Sequence, residues 1–287
     1  MTIEHLERTV PPADKASEPG SGGDLRNTKS IARPVRGLDY CFSGDKHFGS
    51  GSGIAAYMIT SAIPQGEAGP DVFFMNLRGL PWNGSAGVRL LAAWDGHGMA
   101  ASQSHAMRFE NFPVTRLAWP SASRQSSAES AGGVFFAAVC VRVVETALET
   151  ARRYLADRRA ALGSYEQVEW SRAQLDAWLV QRAYAGLLHA LEAEENILLT
   201  ARLAKVAIAE LAESAVGRIC RVVGGGSYSR HSPFGYWFED VRAFGFLRPP
   251  WGLAYRSLFD LSWDTPASNG YQRDPPGTDR DGGRRRC

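Results

Sequence analysis

The apolar residues of this chain change their period once, near Pro120, and that change limits the folds open to it. Ahead of Pro120, short β-favouring runs at 38–42, 55–62, 71–77, 87–93 and 106–112 are punctuated by turn signals such as Ser43-Gly44-Asp45 and Asn83-Gly84. Several short strands with polar turns bury one face each only by closing on one another, which predicts a small antiparallel barrel or sandwich. Beyond Gly133 the period becomes helical, with Val139, Val143, Ala147, Ala151, Tyr154 and Leu155 forming one stripe. Helices are predicted over 134–162, 164–193, 195–223 and 233–261, the last broken at Pro249-Pro250, where a regular helix cannot continue. The expected fold is α+β: a small antiparallel β-barrel or sandwich over 17–120, then an up-and-down four-helix bundle over 121–262. Residues 1–16 read as an unstructured leader, and the Pro/Gly/Asp/Arg-rich residues 263–287 as a disordered tail.

Composition narrows the function classes. A formal net charge of +2, with Arg284-Arg285-Arg286 supplying much of the local basicity at the tail, gives nucleic-acid binding no support. No apolar run approaches the roughly 18 residues a membrane-spanning helix needs, so no membrane insertion is expected. Cys41, Cys140, Cys220 and Cys287 are scattered without a paired motif, and the N-terminus has no apolar signal region, which together predict a cytoplasmic protein. His97, His105 and Asp95 lack a further ligand at useful spacing, so no metal site is expected.

Two glycine-rich stretches carry the chemistry. Ser17-Glu18-Pro19-Gly20-Ser21-Gly22-Gly23-Asp24 cannot extend a helix or a central strand. It is either a mobile linker or a loop whose bare backbone amides approach a flat or anionic ligand. The second stretch, Arg221-Val222-Val223-Gly224-Gly225-Gly226-Ser227-Tyr228-Ser229-Arg230, reads equally as a helix C-cap or as part of a binding turn.

Taken in order with Ser43-Gly44-Asp45-Lys46-His47-Phe48-Gly49-Ser50, the segment Trp94 to Asn111, Arg159-Ala160-Ala161-Leu162-Gly163 and Asp240-Val241-Arg242-Ala243-Phe244, these stretches resemble the acyl-CoA dehydrogenase superfamily over roughly residues 16–261. The resemblance implies FAD as cofactor. Ser17, Glu18, Gly20, Gly22 and Gly23 would form the first wall of its site, with Phe48 against the flavin and Ser50 near its reactive edge. Arg159 would pair with the pyrophosphate through its fixed fork of donors, and Gly224 and Gly225 would lie against the phosphates of a neighbouring subunit's cofactor. It further implies an acyl-CoA-type substrate, a homo-oligomer (dimer or tetramer) and an electron-transfer partner.

The departures bear on chemistry. The family's N-terminal helical domain has no counterpart ahead of Ser17, so the chain reads as a short copy, a fragment or a subunit completed by another polypeptide. Dehydrogenation beside a thioester needs a carboxylate to remove the α-proton. The two family positions for that base fall on Arg248 and Gly133, neither an acid, and Glu129, one helical turn before Gly133, is the candidate that remains. The function the resemblance implies is that of an FAD-dependent oxidoreductase, α,β-dehydrogenation of an acyl-CoA thioester. A flavin-dependent monooxygenase or oxidase on the same scaffold, or an inactive assembly subunit, are the alternatives.

Overall fold

The computed structural model describes Glu18 and residues 27–117, 121–247 and 249–264, the side chains of 121–133 and of Asp264 excepted. The strands are β1 (Ile31–Arg36), β2 (Asp39–Gly49), β3 (Tyr57–Pro64), β4 (Asp71–Asn76), β5 (Val88–Ala92) and β6 (His105–Arg116). One sheet runs in the order β2-β1-β3-β4-β6-β5, and a further β2–β6 pairing closes it into a small barrel with β5 alongside β6. All pairings are antiparallel except β1–β3.

The alternation of β4 places Asp71, Phe73 and Met75 inward. In β6 both Phe109 and Phe112 are buried, although a spacing of three would send them to opposite faces of a regular strand. The register explains this, because Phe112 opposes Phe42 while Phe109 opposes Gly44, so β6 carries one extra residue. That bulge sits at Asn111, at φ 50°, a left-handed conformation that Asn tolerates. Phe109 then packs edge-on against both Phe42 and Phe112 at 5.5 and 5.3 Å between ring centroids. β1 is absent from the predicted strands; Arg33, Pro34 and Arg36 interrupt its apolar pattern, and only Ala32 is buried.

The helices are α1 (Ser121–Tyr154), α2 (Ser164–Ala193), α3 (Ile197–Val223), α4 (Pro233–Phe246) and α5 (Trp251–Asp264). α2 has the predicted bounds, and the break at Pro249-Pro250 separates α4 from α5. α5 reaches Asp264, two residues into the segment expected to be disordered. The core-facing stripe of α1 also differs from expectation. Ala137, Cys140, Val144, Ala147 and Ala151 point inward, whereas Val139 (47% exposed) and Tyr154 (56%) point outward. Val143, Ala147 and Ala151 are four apart and drift around the helix, so either flank could have been the buried one.

α3 is the central element. Its buried residues, among them Ala204, Ile208, Ala212, Ala215, Ile219 and Val222, surround the axis, and it packs against α1, α2, α4 and α5. Small alanines let the outer helices approach closely, while Ile208 and Ile219 fill the spaces between them.

The two units meet where the loop before β6 docks on α4. The Met99 amide donates to Asp240 Oδ1 at 2.6 Å, and a Cβ on Gly98 would stand 2.5 Å from the Glu239 carbonyl oxygen. That neighbour is backbone and cannot rotate away. Gly98→Ala is expected to cost roughly 1–3 kcal/mol by overpacking, read as an earlier urea midpoint with tryptophan fluorescence as the probe. An unchanged midpoint contradicts a tight junction.

Candidate functional site

The predicted site residues fall into two groups. The first is a loop pair at one end of the barrel, formed by the turn after β2 and the segment before β6. Phe48 (φ 54°), Met99 (φ 55°) and Gln103 (φ 44°) all adopt left-handed backbone conformations there. Such conformations are unfavourable for these side chains and cluster at sites that surrounding structure holds in place. What holds them is dense. Gly51 N donates to Ser102 O at 2.7 Å, Ser52 Oγ to Gln103 O at 3.0 Å, and Ser104 Oγ bonds Ser50 Oγ at 2.9 Å and Ser102 Oγ at 2.7 Å. Phe48 is half-buried, edge-on to Trp94 at 5.7 Å, and Ser50 is exposed. Trp94 is fixed in turn, its amide donating to His105 Nδ1 at 2.9 Å and its indole N–H to the Met99 carbonyl at 3.1 Å. The structure thus brings Phe48 and Ser50 together with Trp94, Gln103, Ser104 and His105, partners that only a fold could supply.

Glu18 belongs to the same unit but is placed differently from expectation. Its carboxylate is buried and accepts hydrogen bonds from Thr28 Oγ1, Ser30 Oγ, the Lys29 and Ser30 amides and Lys46 Nζ. It is turned into the barrel, toward Thr28, Ser30 and Lys46. Ser17, Gly20, Gly22 and Gly23 lie outside the described residues, as does the side chain of Glu129.

The second group is at one end of the helical unit. Arg159 is exposed on the 3-10 turn Ala156–Ala161 between α1 and α2. Gly224 ends α3 at φ 84°, which explains glycine there, but Gly225 has neither a positive φ nor a neighbour within 4 Å of a Cβ. Nothing in the fold requires glycine at 225, so the turn keeps bare backbone toward open space. Tyr154 at the end of α1 bounds this turn, its hydroxyl 3.6 Å from where a Cβ on Gly226 would lie.

Beside the turn opens a cleft of about 1110 Å³. Its walls come from α3 (Arg218, Arg221), the loop to α4 (Tyr228, Arg230), α4 (Tyr236, Phe238) and α5 (Trp251, Tyr255), with His97 reaching in from the barrel. The C-terminal end of α3 carries a negative partial charge, which the arginines of its last turns offset. They are held by acids of α2: Arg218 Nη1 and Arg221 Nη1 bond the two oxygens of Glu169 at 2.9 and 2.7 Å, and Arg218 Nε bonds Asp176 Oδ2 at 3.0 Å. Hydrogen bonding from Arg221 holds the Glu169 carboxyl below its ordinary range. Tyr255 donates to Glu210 and its phenol is pushed up to about 12 by that bond, so it stays protonated. Glu210, Glu213 and Glu239 line the same cleft, so its walls are aromatic and of mixed charge, with the arginines gathered beside the glycine turn. Arg221, Tyr228 and Arg230 flank the glycines in the stretch read from the sequence, whereas Arg218, Tyr236 and Tyr255 were not singled out there. Tyr228, 95% exposed beside the glycines, was the available signal.

Comparison with known proteins agrees with this layout. Residues 132–248 match the family model described as acyl-CoA dehydrogenase, C-terminal domain. A probable acyl-CoA dehydrogenase of Mycobacterium abscessus superposes with a TM-score of 0.75 at 16% identity, covering 91% of this chain and 73% of that one. The chain carries the acyl-CoA dehydrogenase superfamily fold. A second solved structure, KijD3 in complex with FMN and dTDP-3-amino-2,3,6-trideoxy-4-keto-3-methyl-D-glucose, matches with a TM-score of 0.70 at 22% identity, covering 84% of this chain and 64% of that one. Among curated proteins, the amino sugar nitrososynthase DnmZ of Streptomyces peucetius is 28% identical over 251 residues. That alignment takes in 80% of this chain, which spans 60% of the relative's length.

Glu18 gives this arrangement a pH signature. Burial pushes its carboxyl up, but the Lys46 ammonium and the hydrogen bonds outweigh burial, so the net shift is downward from 4.5. Its contribution is therefore present above about pH 4.5 and lost as pH falls through the lower folded-state value. Glu18→Gln is expected to cost roughly 3–5 kcal/mol at neutral pH, the gap to the parent protein narrowing below pH 4.5. Urea titrations across the acid range measure it; a gap that does not change with pH removes the ion pair from the explanation.

Proposed function

We propose that this chain is part of a flavin-dependent oxidoreductase that oxidises the amine nitrogen of a nucleotide-linked amino sugar with molecular oxygen. One observation carries the reading: both positions at which the family places its proton-abstracting carboxylate hold residues that cannot serve, Arg248 and Gly133, while the loop pair around Phe48 and Ser50 is kept. An arginine stays protonated and a glycine has no side chain, so α-proton removal from an acyl thioester has no base at either of those two positions. Oxygen-dependent chemistry does not need one there. An amino sugar nitrososynthase and a nucleotide amino-sugar complex with FMN among the similar proteins favour nitrogen as the centre oxidised.

The flavin, when bound, supplies the two-electron and oxygen chemistry. Phe48, held edge-on by Trp94, would lie against the ring and exclude water from one face, and Ser50, oriented by Ser104, would hydrogen-bond the ring edge. Arg159 would pair with a phosphate, and Gly224 and Gly225 would present backbone to it without a Cβ in the way. The amides of the Ser17–Asp24 loop would complete the first wall, with Glu18 turned into the barrel. As the family resemblance implies, a second copy would complete each site, so the working form is a homo-oligomer. No helix among the described residues is long and apolar enough to cross a membrane.

Acyl-CoA dehydrogenation with Glu129 as base is the second reading, favoured by the family model over 132–248, and it brings an electron-transfer partner with it. The visible spectrum separates the two. The proposal expects a yellow protein that an acyl-CoA thioester does not bleach without oxygen, and that, once reduced, consumes oxygen faster when a dTDP-amino sugar is added. Bleaching by the thioester, abolished in Glu129→Gln, establishes the second reading. A colourless protein that takes up neither FAD nor FMN overturns both.

A further inference from the structure

One buried group has no part in the function above. Lys205, on the central helix α3, is 4% exposed. Its Nζ donates to the carbonyl of Phe244 and stands 3.6 Å from the centroid of the Phe244 ring. Phe244 is in the last turn of α4, where carbonyls have no helical partner and carry the negative end of the helix dipole. The same carbonyl accepts the Leu247 amide at 3.2 Å, the bond that turns the chain out of α4. Immediately beyond, the Trp251 indole fills the space over Gly245, where a Cβ would stand 2.1 Å from Nε1. Trp251 and Tyr255, stacked at 5.8 Å, then form the α5 wall of the cleft.

We propose that Lys205 is the positioning residue of this corner: by gripping the Phe244 carbonyl and ring it fixes the turn from α4 to α5, and so the Trp251–Tyr255 wall of the cleft, with a strength that depends on its protonation. Asp240 ties α4 to the barrel one turn earlier, so α4 is pinned from two sides and the turn is the part left to Lys205. Two side-chain ties flank the α5 wall: Arg202 Nε donates to Ser257 Oγ at 3.1 Å, and Tyr255 bonds Glu210.

The direction of the pH effect follows from burial, which lowers the Lys205 pKa from 10.5 to about 7. In an opened turn the amine returns to water and its ordinary value. Between pH 7 and 10.5 the open form thus binds the proton and the closed form does not, so closing strengthens as pH rises through that window and is insensitive below it. The ionisable and charged groups that act on Lys205 are Cys140 on α1 and Arg202 on α3; Asp240 on α4 acts on Cys140. The Cys140 thiol is pushed up to about 12 by burial, and a guanidinium keeps its charge, so neither mimics the lysine across the window.

Hydrogen exchange on the protein without ligand tests this, which keeps it separate from the flavin reading. After correction for intrinsic rates, peptides carrying the Leu247 and Ala254 amides are expected to gain protection from pH 7 to 9, by up to about tenfold per pH unit. Lys205→Gln, which keeps a neutral donor, is expected to show no such gain, and Lys205→Met, which has neither charge nor donor, to exchange faster than Lys205→Gln at both pH values. Circular dichroism checks that each variant is folded; if Lys205→Met is not, the comparison with Lys205→Gln decides alone. Protection that does not change with pH in the parent protein, or that rises equally in Lys205→Gln, overturns the proposal.

Discussion

The hydrogen bond from the Met99 amide to Asp240, with the bare backbone of Gly98 beside it, joins a barrel to a helical unit that otherwise have separate cores. Its consequences spread in both directions. On the barrel side it fixes a residue in a left-handed conformation and anchors the segment that carries Ser102, Gln103 and Ser104, and through them Ser50 and Ser52. On the helical side it fixes α4, one wall of the cleft, and it brings His97 to the rim. Strained backbone persists only where its surroundings over-determine it, and here the docked helix supplies part of that determination. The two candidate binding groups therefore share a mechanical link although they come from different cores.

The electrostatics of the cleft repeat the same economy. A surface of free arginines would attract any anion, but Arg218 and Arg221 share Glu169, and Arg218 also meets Asp176. Each guanidinium is oriented by its acid partner, which leaves its remaining donors aimed in fixed directions. Such an arrangement gives up long-range attraction for geometry. It favours a ligand that presents oxygens at defined spacing beside a flat ring, to be met by Tyr228, Tyr236 or Trp251.

Local rules reached much of the fold and little of the site. The bounds of α2, 164 to 193, were legible because a helical apolar period runs between Gly163 and the polar 192–196 stretch. β1 was not, since Arg33, Pro34 and Arg36 leave only Ala32 facing the core. The joint burial of Phe109 and Phe112 depends on a bulge that only the opposing strand reveals. Phe48 and Ser50 could be singled out by resemblance, but Trp94, Ser104 and His105 are brought to them by closure of the barrel. The Met99–Asp240 contact spans 141 positions, a separation no periodicity reports. Glu18 shows a different limit: an acid beside glycines reads as part of a ligand loop, and only its burial against Lys46 shows that it faces the other way.

What the family fold has kept and what it has replaced then bear on the chemistry separately. The parts that would hold a flat, anionic cofactor depend on backbone shape: a bare turn at Gly224-Gly225, a strained loop at Phe48 and a docked segment at Met99. The part that would remove a proton depends on one side chain, and there the sequence has Arg248 or Gly133. Shape built by many contacts survives substitution better than a role carried by one carboxylate.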